Sequence, residues 1–250
     1  MTLTAIILTK NEAAHISECI ASLRFADHIL VYDSFSTDET VTKAKAAGAE
    51  VIQRAFDNYA NQRNAAIKAV GNAEWILFVD ADERVTAALA GEIKTAMGLV
   101  GYAGWKIPRH NYIFGKLTLW AGWYPDYQLR LLKVGAAHYD PTRQVHEVVI
   151  LDGQEGTLKE NLLHYNYRDL PHFMQKQRAY AAYEAQILYD AGVRPKLRNY
   201  ILQPLRQFKW RYLTLKGYRD GFHGLRLSAL MGWYELRKYL LLRKLWQGSR

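Results

Sequence analysis

The sequence predicts an α/β protein in which a doubly wound, mainly parallel sheet is followed by a C-terminal helical extension. Three observations support this fold class. Short apolar runs alternate with amphipathic helical patterns over the first hundred residues. From residue 101 to residue 168 this alternation gives way to extended runs rich in Gly, Pro, Trp and Tyr. From Asp169 onward the apolar spacing is helical.

The first hundred residues contain four predicted strands, which are Leu3–Thr9, His28–Asp33, Glu50–Gln53 and Trp75–Val79. They also contain four segments with helical apolar spacing, which are 12–23, 38–47, 59–70 and 86–97. Because strands and helices alternate at this interval, we expect a parallel sheet with helices on both faces. Ligands of such sheets bind beyond the carboxyl ends of the strands, so polar residues at those ends are candidates for the site.

The rest of the chain divides into two further parts. Residues 101–168 contain short extended runs, such as Gln128–Lys133 and Val145–Leu151, and we expect mixed sheet and loops there. Residues 169–250 are expected to be helical, with helices at 169–191, 198–216 and 219–246. Pro195 and Gly217 separate these helices. The predicted organisation is therefore 1–100, 101–168 and 169–250.

Composition limits the class of protein and its compartment. Cys19 is the only cysteine, so an intrachain disulfide is excluded, and its apolar-periodic setting predicts a buried side chain. The apolar run from Leu3 to Leu8 is too short for a signal sequence. No stretch approaches the roughly 18 to 20 apolar residues of a membrane-spanning helix. We therefore expect a cytoplasmic protein.

The C-terminal part is strongly basic. From Arg194 onward there are 14 Lys and Arg residues and two acidic residues, a net charge of +12, whereas the remainder sums to −3. At about 100° per residue, four basic residues fall on one helical stripe next to Trp233: Arg219, Arg226, Arg237 and Lys244. Basic residues bordered by Trp and Leu are typical of helices at anionic membranes. We expect peripheral binding to the inner face of the cytoplasmic membrane, with a solvated basic face as the alternative.

Chemistry-bearing side chains follow the predicted strands. Thr9, Asn11 and Glu12 follow the first strand, Asp33 ends the second, and the run Asp80-Ala81-Asp82 follows the fourth. Two carboxylates so close together after a buried strand are costly unless a cation neutralises them. Mg²⁺ and Mn²⁺ accept carboxylate and phosphate oxygens, so the sequence predicts a divalent-cation site here.

At this point the sequence resembles a known family. The runs LTAIILTKNEAAHISECIASL, VYDSFSTDETVTKAKAAGAEVIQR, YANQRNAAI and WILFVDADERV are similar to the nucleotide-binding half of family 2 glycosyltransferases, which have the GT-A fold. The later runs GWYPDYQLRLLK, VHE and LLHYNY resemble one bacterial subgroup. That subgroup includes lipopolysaccharide inner-core glucosyltransferases, which add a β-linked glucose to heptose.

The resemblance implies a role for each part of the chain. Residues 1–100 would bind the nucleotide-sugar, and residues 101–168 would supply the acceptor and catalytic half of the same domain. The donor would be a UDP-sugar, with UDP-glucose favoured. The positions that the resemblance assigns to donor binding are Thr9, Asn11, Glu12, Asp33, Arg63, Asp80, Ala81, Gln128 and Arg130. The family commonly has a second acid after the position of Asp33, and this chain has Ser34 there, which leaves the base open.

Catalysis by this family inverts the anomeric carbon and requires a base that takes the proton of the incoming hydroxyl. The resemblance places that base at Asp126, within the run Tyr124-Pro125-Asp126-Tyr127-Gln128-Leu129-Arg130. Trp123 and Tyr124 precede it, and aromatic faces stack on sugars, so these two residues and Arg109 are candidates for the acceptor site. The alternatives are a turn-capping role for Asp126 and core packing for the aromatic residues.

Metal ligation by Asp80 and Asp82 is expected to be completed by a downstream histidine, as in many GT-A enzymes. His146, which precedes Glu147, is the first candidate, and His164, which precedes Tyr165, is the second. Either histidine has a structural alternative.

The predicted function is an inverting, metal-dependent glycosyltransferase that acts on a glycolipid such as the lipopolysaccharide inner core. One alternative is a phosphohydrolase or phosphotransferase that uses the paired aspartates. That chemistry places its acids after an early strand, whereas these follow the fourth. The other alternative is a non-enzymatic polyanion-binding protein. It rests on the basic tail alone, and since no nucleic-acid-binding motif is present, we expect no nucleic-acid partner.

Overall fold

A computed structural model describes residues 1–140 and 149–248, and the chain forms two compact units. The first unit contains Met1–Arg109 and Asp126–His164, and the second contains His110–Pro125 and Tyr165–Arg250. The chain therefore passes from one unit to the other three times. The predicted functional division at residues 100 and 168 stays a prediction.

The strands and helices of the first hundred residues alternate as predicted. In chain order they are β1 (Leu3–Thr9), α1 (Ile16–Ser22), β2 (His28–Asp33), α2 (Thr40–Ala46), β3 (Glu50–Gln53), α3 (Tyr59–Ala69), β4 (Trp75–Asp80), β5 (Glu83–Arg84) and α4 (Ala87–Met97). The elements that follow are mainly short strands and then helices. They are β6 (Tyr102–Ile113), β7 (Lys116–Thr118), β8 (Tyr127–Lys133), β9 (Ala137–Tyr139), β10 (Val149–Leu151), β11 (Gln154–Thr157), β12 (Leu162–Tyr167), α5 (Leu170–Asp190), α6 (Asn199–Lys209) and α7 (Gly221–Gly248).

The central sheet of the first unit is mainly parallel. Its order begins β3-β2-β1-β4, and these four strands pair in parallel, so their carboxyl ends lie at one edge. In the register, Thr9 lies opposite Asp33 and Leu8 lies opposite Asp80. Strand β8 then pairs antiparallel with β4, and β6 pairs antiparallel with β8. The polar strand ends singled out in the sequence are therefore neighbours, as predicted.

Both faces of this sheet are covered, because adjacent residues of the central strands enter different cores. Ile7 and Leu77 pack with residues of α1 and α4, whereas Ile6 and Phe78 pack with residues of α3. Cys19 is fully buried in the first of these cores, as predicted, and burial raises the pKa of its thiol. The predicted doubly wound α/β architecture is confirmed.

The second unit has its own core, built from β6, β12, α5 and α7. Ile113, Tyr167, Phe173, Leu227 and Tyr234 are its central buried side chains. Helix α5 begins where Asp169 accepts a hydrogen bond from the backbone N–H of His172 (2.8 Å), with a proline in the first turn. This N-cap satisfies a backbone donor that the helix itself leaves unpaired.

One prediction for the C-terminal helices is wrong. The sequence predicts a continuous helix over 219–246. In such a helix Arg219 would lie on the same stripe as Arg226, Arg237 and Lys244. Helix α7 instead begins at Gly221, whose φ of +60° and ψ of −140° interrupt the helical path. Arg219 lies before this break, in a 3-10 turn at Gly217–Asp220, so the stripe has three members on α7.

The remaining predicted membrane residues on α7 differ in exposure. Arg226 and Arg237 are half-buried, and the Arg226 guanidinium lies 4.3 Å from the centre of the Phe114 ring. Lys244 and Trp233 are exposed. Among the helices of the described residues, none is both long enough and apolar enough to cross a bilayer.

The side chain of Asn64 joins α3 to β9 through two hydrogen bonds to Tyr139. Its Nδ2 donates to the Tyr139 carbonyl, and its Oδ1 accepts from the Tyr139 N–H, both at 2.8 Å. Asn64→Ala leaves both backbone groups without these partners, so we expect a loss of about 1–3 kcal/mol in the free energy of unfolding. Urea denaturation measures this loss. Asn61→Ala is the control on the same helix. It removes only an exposed hydrogen bond to Asp57, which precedes the helix, so its loss in the free energy of unfolding should be smaller.

Candidate active site

The loops after β1 and β2 are tied together by side-chain hydrogen bonds. The Asn11 N–H donates to Ser36 Oγ (2.8 Å), and Asn11 Oδ1 accepts from the Thr37 N–H (2.8 Å). The Glu12 N–H donates to Thr40 Oγ1 (2.8 Å). Asn11 has a φ of +58°, a conformation that Asn tolerates better than most residues. The structure thus brings the predicted donor-binding residues of the first loop against the second loop.

Asp33 holds this pair of loops in place. Its carboxylate is fully buried and accepts hydrogen bonds from Thr9 Oγ1 (3.1 Å), the Ser36 N–H (2.8 Å) and Gln53 Nε2 (3.0 Å). Burial raises the pKa of Asp33, but the hydrogen bonds from Ser36, Gln53 and Thr9 together outweigh burial and hold the pKa below its ordinary value. Asp33 therefore organises the ends of β1, β2 and β3, where the sequence predicted a contact to the nucleoside.

Asp80 is paired with an arginine from the neighbouring antiparallel strand. Arg130 donates from Nη1 to Asp80 Oδ1 (3.2 Å) and from Nη2 to Asp80 Oδ2. Burial raises the pKa of Asp80, but Arg130, Arg63 and Arg109 more than offset this and hold the pKa well below its usual range. Arg63 itself lies over the Phe78 ring, at 4.9 Å from its centre. Both carboxylate oxygens of Asp80 thus accept hydrogen bonds from Arg130.

Glu83 links these charges and was missed in the sequence. It is fully buried; its Oε2 accepts from the Asp80 N–H (2.9 Å), and its Oε1 accepts from Arg130 Nη2 and Arg109 Nη1, each at 3.1 Å. Arg84 also supports the loop, because its Nη1 donates to the Ala81 carbonyl (2.8 Å). The sequence signal that could have identified Glu83 is its position as a third acid directly after Asp80-Ala81-Asp82. Acids beside a buried strand require cationic partners, so a third acid there indicates a charge network.

Asp82 lies near His164, the second histidine candidate. The distance between Asp82 Oδ2 and His164 Nε2 is 3.5 Å, and the side chain of Asp82 is 21% exposed. The pairing of β5 with β12 positions this histidine, because His164 lies opposite Glu83. His146 lies outside the described residues. Among those that are described, no three His, Cys, Asp or Glu side chains cluster closely enough to hold a metal ion.

Asp126 is held by two side chains that the sequence assigned to other roles. Arg109 donates to its Oδ2 from Nε (2.9 Å) and Nη2 (2.6 Å), and Gln128 Nε2 donates to its Oδ1 (2.8 Å). The side chain of Asp126 nevertheless remains 27% exposed. Arg109 and Gln128 thus orient the carboxylate of Asp126. The sequence had predicted an acceptor contact for Arg109 and a donor contact for Gln128.

Trp123 and Tyr124 belong to the second unit. Trp123 packs against the core of that unit, and the Arg211 guanidinium lies 5.3 Å from the centre of its ring. Tyr124 lies beside His110, with ring centres 5.2 Å apart, and the peptide bond between Tyr124 and Pro125 is cis. The acceptor role of these aromatic residues stays a prediction.

Comparison with known proteins connects these residues to a family. Residues 4–112 match the family described as "Glycosyl transferase family 2". That range contains β1 to β4 and the run Asp80-Ala81-Asp82, together with Glu83 and Arg109.

Two relatives match along nearly the whole chain. The lipopolysaccharide core biosynthesis glycosyltransferase LpsC of Rhizobium meliloti (strain 1021) is 27% identical over 257 residues, which cover 98% of this chain and 92% of LpsC. An uncharacterized glycosyltransferase of Rickettsia felis (strain ATCC VR-1525 / URRWXCal2) is 29% identical over 268 residues, which cover 97% of this chain and 89% of that protein. Both are named as glycosyltransferases.

A solved structure shows the same fold. Glucosyl-3-phosphoglycerate synthase from Mycobacterium tuberculosis, in complex with phosphoglyceric acid, superposes with a TM-score of 0.50 at 17% identity. The match covers 78% of this chain and 81% of the synthase. The predicted GT-A fold is confirmed. Residues 4–112 match the glycosyl transferase family 2 model, and two relatives that match nearly the whole chain are named as glycosyltransferases, so the chain is a glycosyltransferase, as predicted.

Proposed function

We propose that this glycosyltransferase moves glucose from UDP-glucose to a hydroxyl of a glycolipid, with inversion at the anomeric carbon and Asp126 as the base. The donor follows from the resemblance of the sequence to inner-core glucosyltransferases. The acceptor class is supported by the full-length similarity to LpsC, which is named for lipopolysaccharide core biosynthesis.

The observation that carries the proposal is the placement of Asp126. Its carboxylate is oriented by Arg109 and Gln128 and is still partly exposed, as a base that meets an incoming hydroxyl must be. Arg109 also donates to Glu83, which accepts from the Asp80 N–H. One network of charges therefore positions both the base and the acidic loop after β4.

The residues after β4 also fit a divalent cation. Asp82 and His164 present an oxygen and a nitrogen donor 3.5 Å apart, and both atoms are ligands that Mn²⁺ accepts; Mg²⁺ is the alternative through Asp82. Asp80, by contrast, has its charge balanced by Arg130. We propose Asp82 and His164 as the protein ligands, with Asp80 beside them. A bound cation would stabilise the negative charge that develops on the leaving diphosphate.

The remaining donor-binding residues then have defined tasks. Thr9, Asn11 and Glu12 shape the loop that would receive the nucleoside, and Asp33 keeps that loop fixed. Arg63, which lies over the Phe78 ring of β4, and the backbone of Ala81 would meet the diphosphate. Asp126 would accept the proton of the acceptor hydroxyl as that oxygen attacks a sugar carbon with oxocarbenium-like character.

The acceptor class requires the enzyme to reach a membrane surface. The +12 charge after Arg194 would favour the anionic inner face of the cytoplasmic membrane. Peripheral binding at that face is therefore part of the proposed function. Arg219, Arg226, Arg237, Lys244 and Trp233 remain the residues that the sequence assigned to it.

Asp82→Ala tests the metal site. Removal of one of two proposed ligands should weaken Mn²⁺-dependent binding of UDP-glucose by at least ~10-fold, and activity should fall with it. Isothermal titration calorimetry with and without Mn²⁺ measures the binding. Asp190→Ala, which removes a carboxylate at the end of α5, is the control and should behave as the wild type. Full activity of the wild type in EDTA would contradict the metal role.

The choice of histidine is tested separately. His164→Ala should raise the Mn²⁺ concentration needed for half-maximal activity more than His146→Ala does, because His164 lies 3.5 Å from Asp82. This order reverses the preference drawn from the sequence. His138→Ala changes an exposed histidine of β9 and serves as the control. A larger effect at His146 would return the ligand assignment to that residue.

Asp126→Asn tests the base. The amide keeps the shape of the side chain but cannot take a proton, so turnover at saturating donor should fall at least ~100-fold while the dissociation constant of UDP-glucose changes little. Steady-state kinetics and calorimetry on the same preparation separate the two quantities. Weakened donor binding with unchanged turnover would make Asp126 a binding residue.

A further inference from the structure

Helix α6 exposes aliphatic side chains along one face. Ile201 is 64% exposed, Leu202 57% and Leu205 59%, and none of the residues of α6 is buried. Before the helix, Leu197 is 86% exposed, and beyond it Leu213 is 52% exposed. At about 100° per residue, Ile201, Leu202 and Leu205 lie within about 100° of one another around α6, so these three side chains form one stripe. We call this stripe, together with the basic residues along it, the α6 face.

The opposite side of α6 is the one that contacts α7, and it carries polar residues as well as Pro204 and Phe208. A Cβ added at Gly232 of α7 would lie 3.1 Å from the Pro204 carbonyl oxygen and 3.5 Å from Phe208 Cβ. Gln203 and Gln207 are half-buried beside these two residues, whereas the leucines point to solvent. A soluble helix normally buries its apolar stripe. In α6, Ile201, Leu202 and Leu205 are instead exposed, which is typical of an apolar surface that meets a lipid phase or a partner.

The charges along this face indicate which partner it meets. Exposed Arg198, Arg206 and Lys209 lie on the stripe with the aliphatic residues. From Arg194 to Arg219 the sequence has eight Lys and Arg residues and no acidic residue. A second copy of the chain would bring an identical basic face against it, which like-charge repulsion opposes. An anionic lipid surface accepts both the aliphatic and the basic side chains.

We propose that the α6 face lies in the interface of an anionic bilayer, with Ile201, Leu202 and Leu205 inserted among the acyl chains. The inference deepens the proposed function, since it rests on a glycolipid acceptor held in that bilayer. It assigns the contact to α6, whereas the sequence assigned it to the basic stripe of α7. The basic residues of the α6 face would meet lipid phosphates while the leucines enter the apolar layer.

Flotation of the full-length protein with vesicles tests this assignment. One set of vesicles contains phosphatidylglycerol and phosphatidylcholine, and the other contains phosphatidylcholine alone. Leu202→Gln/Leu205→Gln should lower the partition coefficient for the anionic vesicles at least ~100-fold. The substitutions remove two leucines that would insert into the bilayer, while helix propensity is kept. Leu99→Gln/Val100→Gln removes two exposed aliphatic residues of the first unit and should leave binding unchanged.

A second pair of substitutions tests the charges. Arg206→Gln/Lys209→Gln should lower the partition coefficient about 25-fold at low salt, since each basic residue near such a surface contributes about a factor of five. The difference from the wild type should shrink as salt is added. The variants on the α6 face should bind UDP-glucose as the wild type does, because their substituted residues lie outside the first unit.

Three results would overturn the inference. The first is that the wild type does not bind anionic vesicles. The second is that the Leu202/Leu205 and Leu99/Val100 pairs lose vesicle binding equally. The third is a dimer in analytical ultracentrifugation that Leu202→Gln/Leu205→Gln disrupts. The last result would assign the α6 face to a second copy. Failure of the wild type to bind any UDP-sugar would instead refute the proposed donor, and vesicle binding would be unaffected by that failure.

Discussion

The buried carboxylate of Glu83 is the group on which the candidate active site depends. An unpaired charge so deep in a protein would be strongly destabilising, so Glu83 requires the guanidinium groups of Arg109 and Arg130. The same two guanidinium groups donate further hydrogen bonds, Arg109 to Asp126 and Arg130 to Asp80. One buried acid therefore fixes, through two arginines, the positions of two carboxylates of the candidate site that lie 46 residues apart in sequence.

This arrangement sets the charges of the site before any ligand arrives. The charge of Asp80 is balanced by Arg130, whereas Asp82, two residues later, lies 3.5 Å from His164. The two aspartates of one short motif are thus given different surroundings by the strands on either side of it. Groups that are already held in place do not have to reorganise during the reaction, which is how fixed dipoles and charges stabilise a transition state.

The strands of the sheet could be predicted because each is a short apolar run that ends in polar residues; β1, β2 and β3 have the predicted bounds. Strand ends also located Asp33, Asp80 and Asp82. The pairing of Arg130 with Asp80 could not be predicted, since it depends on the antiparallel register of β8 against β4, which places Leu132 opposite Ile76. Gln128 and Arg130 contact the carboxylates of Asp126 and Asp80, where the sequence predicted ligand contacts.

The C-terminal helices show a different limit of sequence analysis. Periodicity identifies an apolar stripe but does not say which side of a helix the protein covers. In α7 the stripe was projected through Gly221, where the backbone leaves the helical path, and Arg219 was aligned with residues it does not accompany. In α6 the helix itself was predicted, and only its packing shows that Leu202 and Leu205 face solvent while Gln203 and Gln207 face protein. The candidate donor-binding residues thus belong to the first unit, and the exposed apolar surface for which we propose a lipid partner belongs to the second.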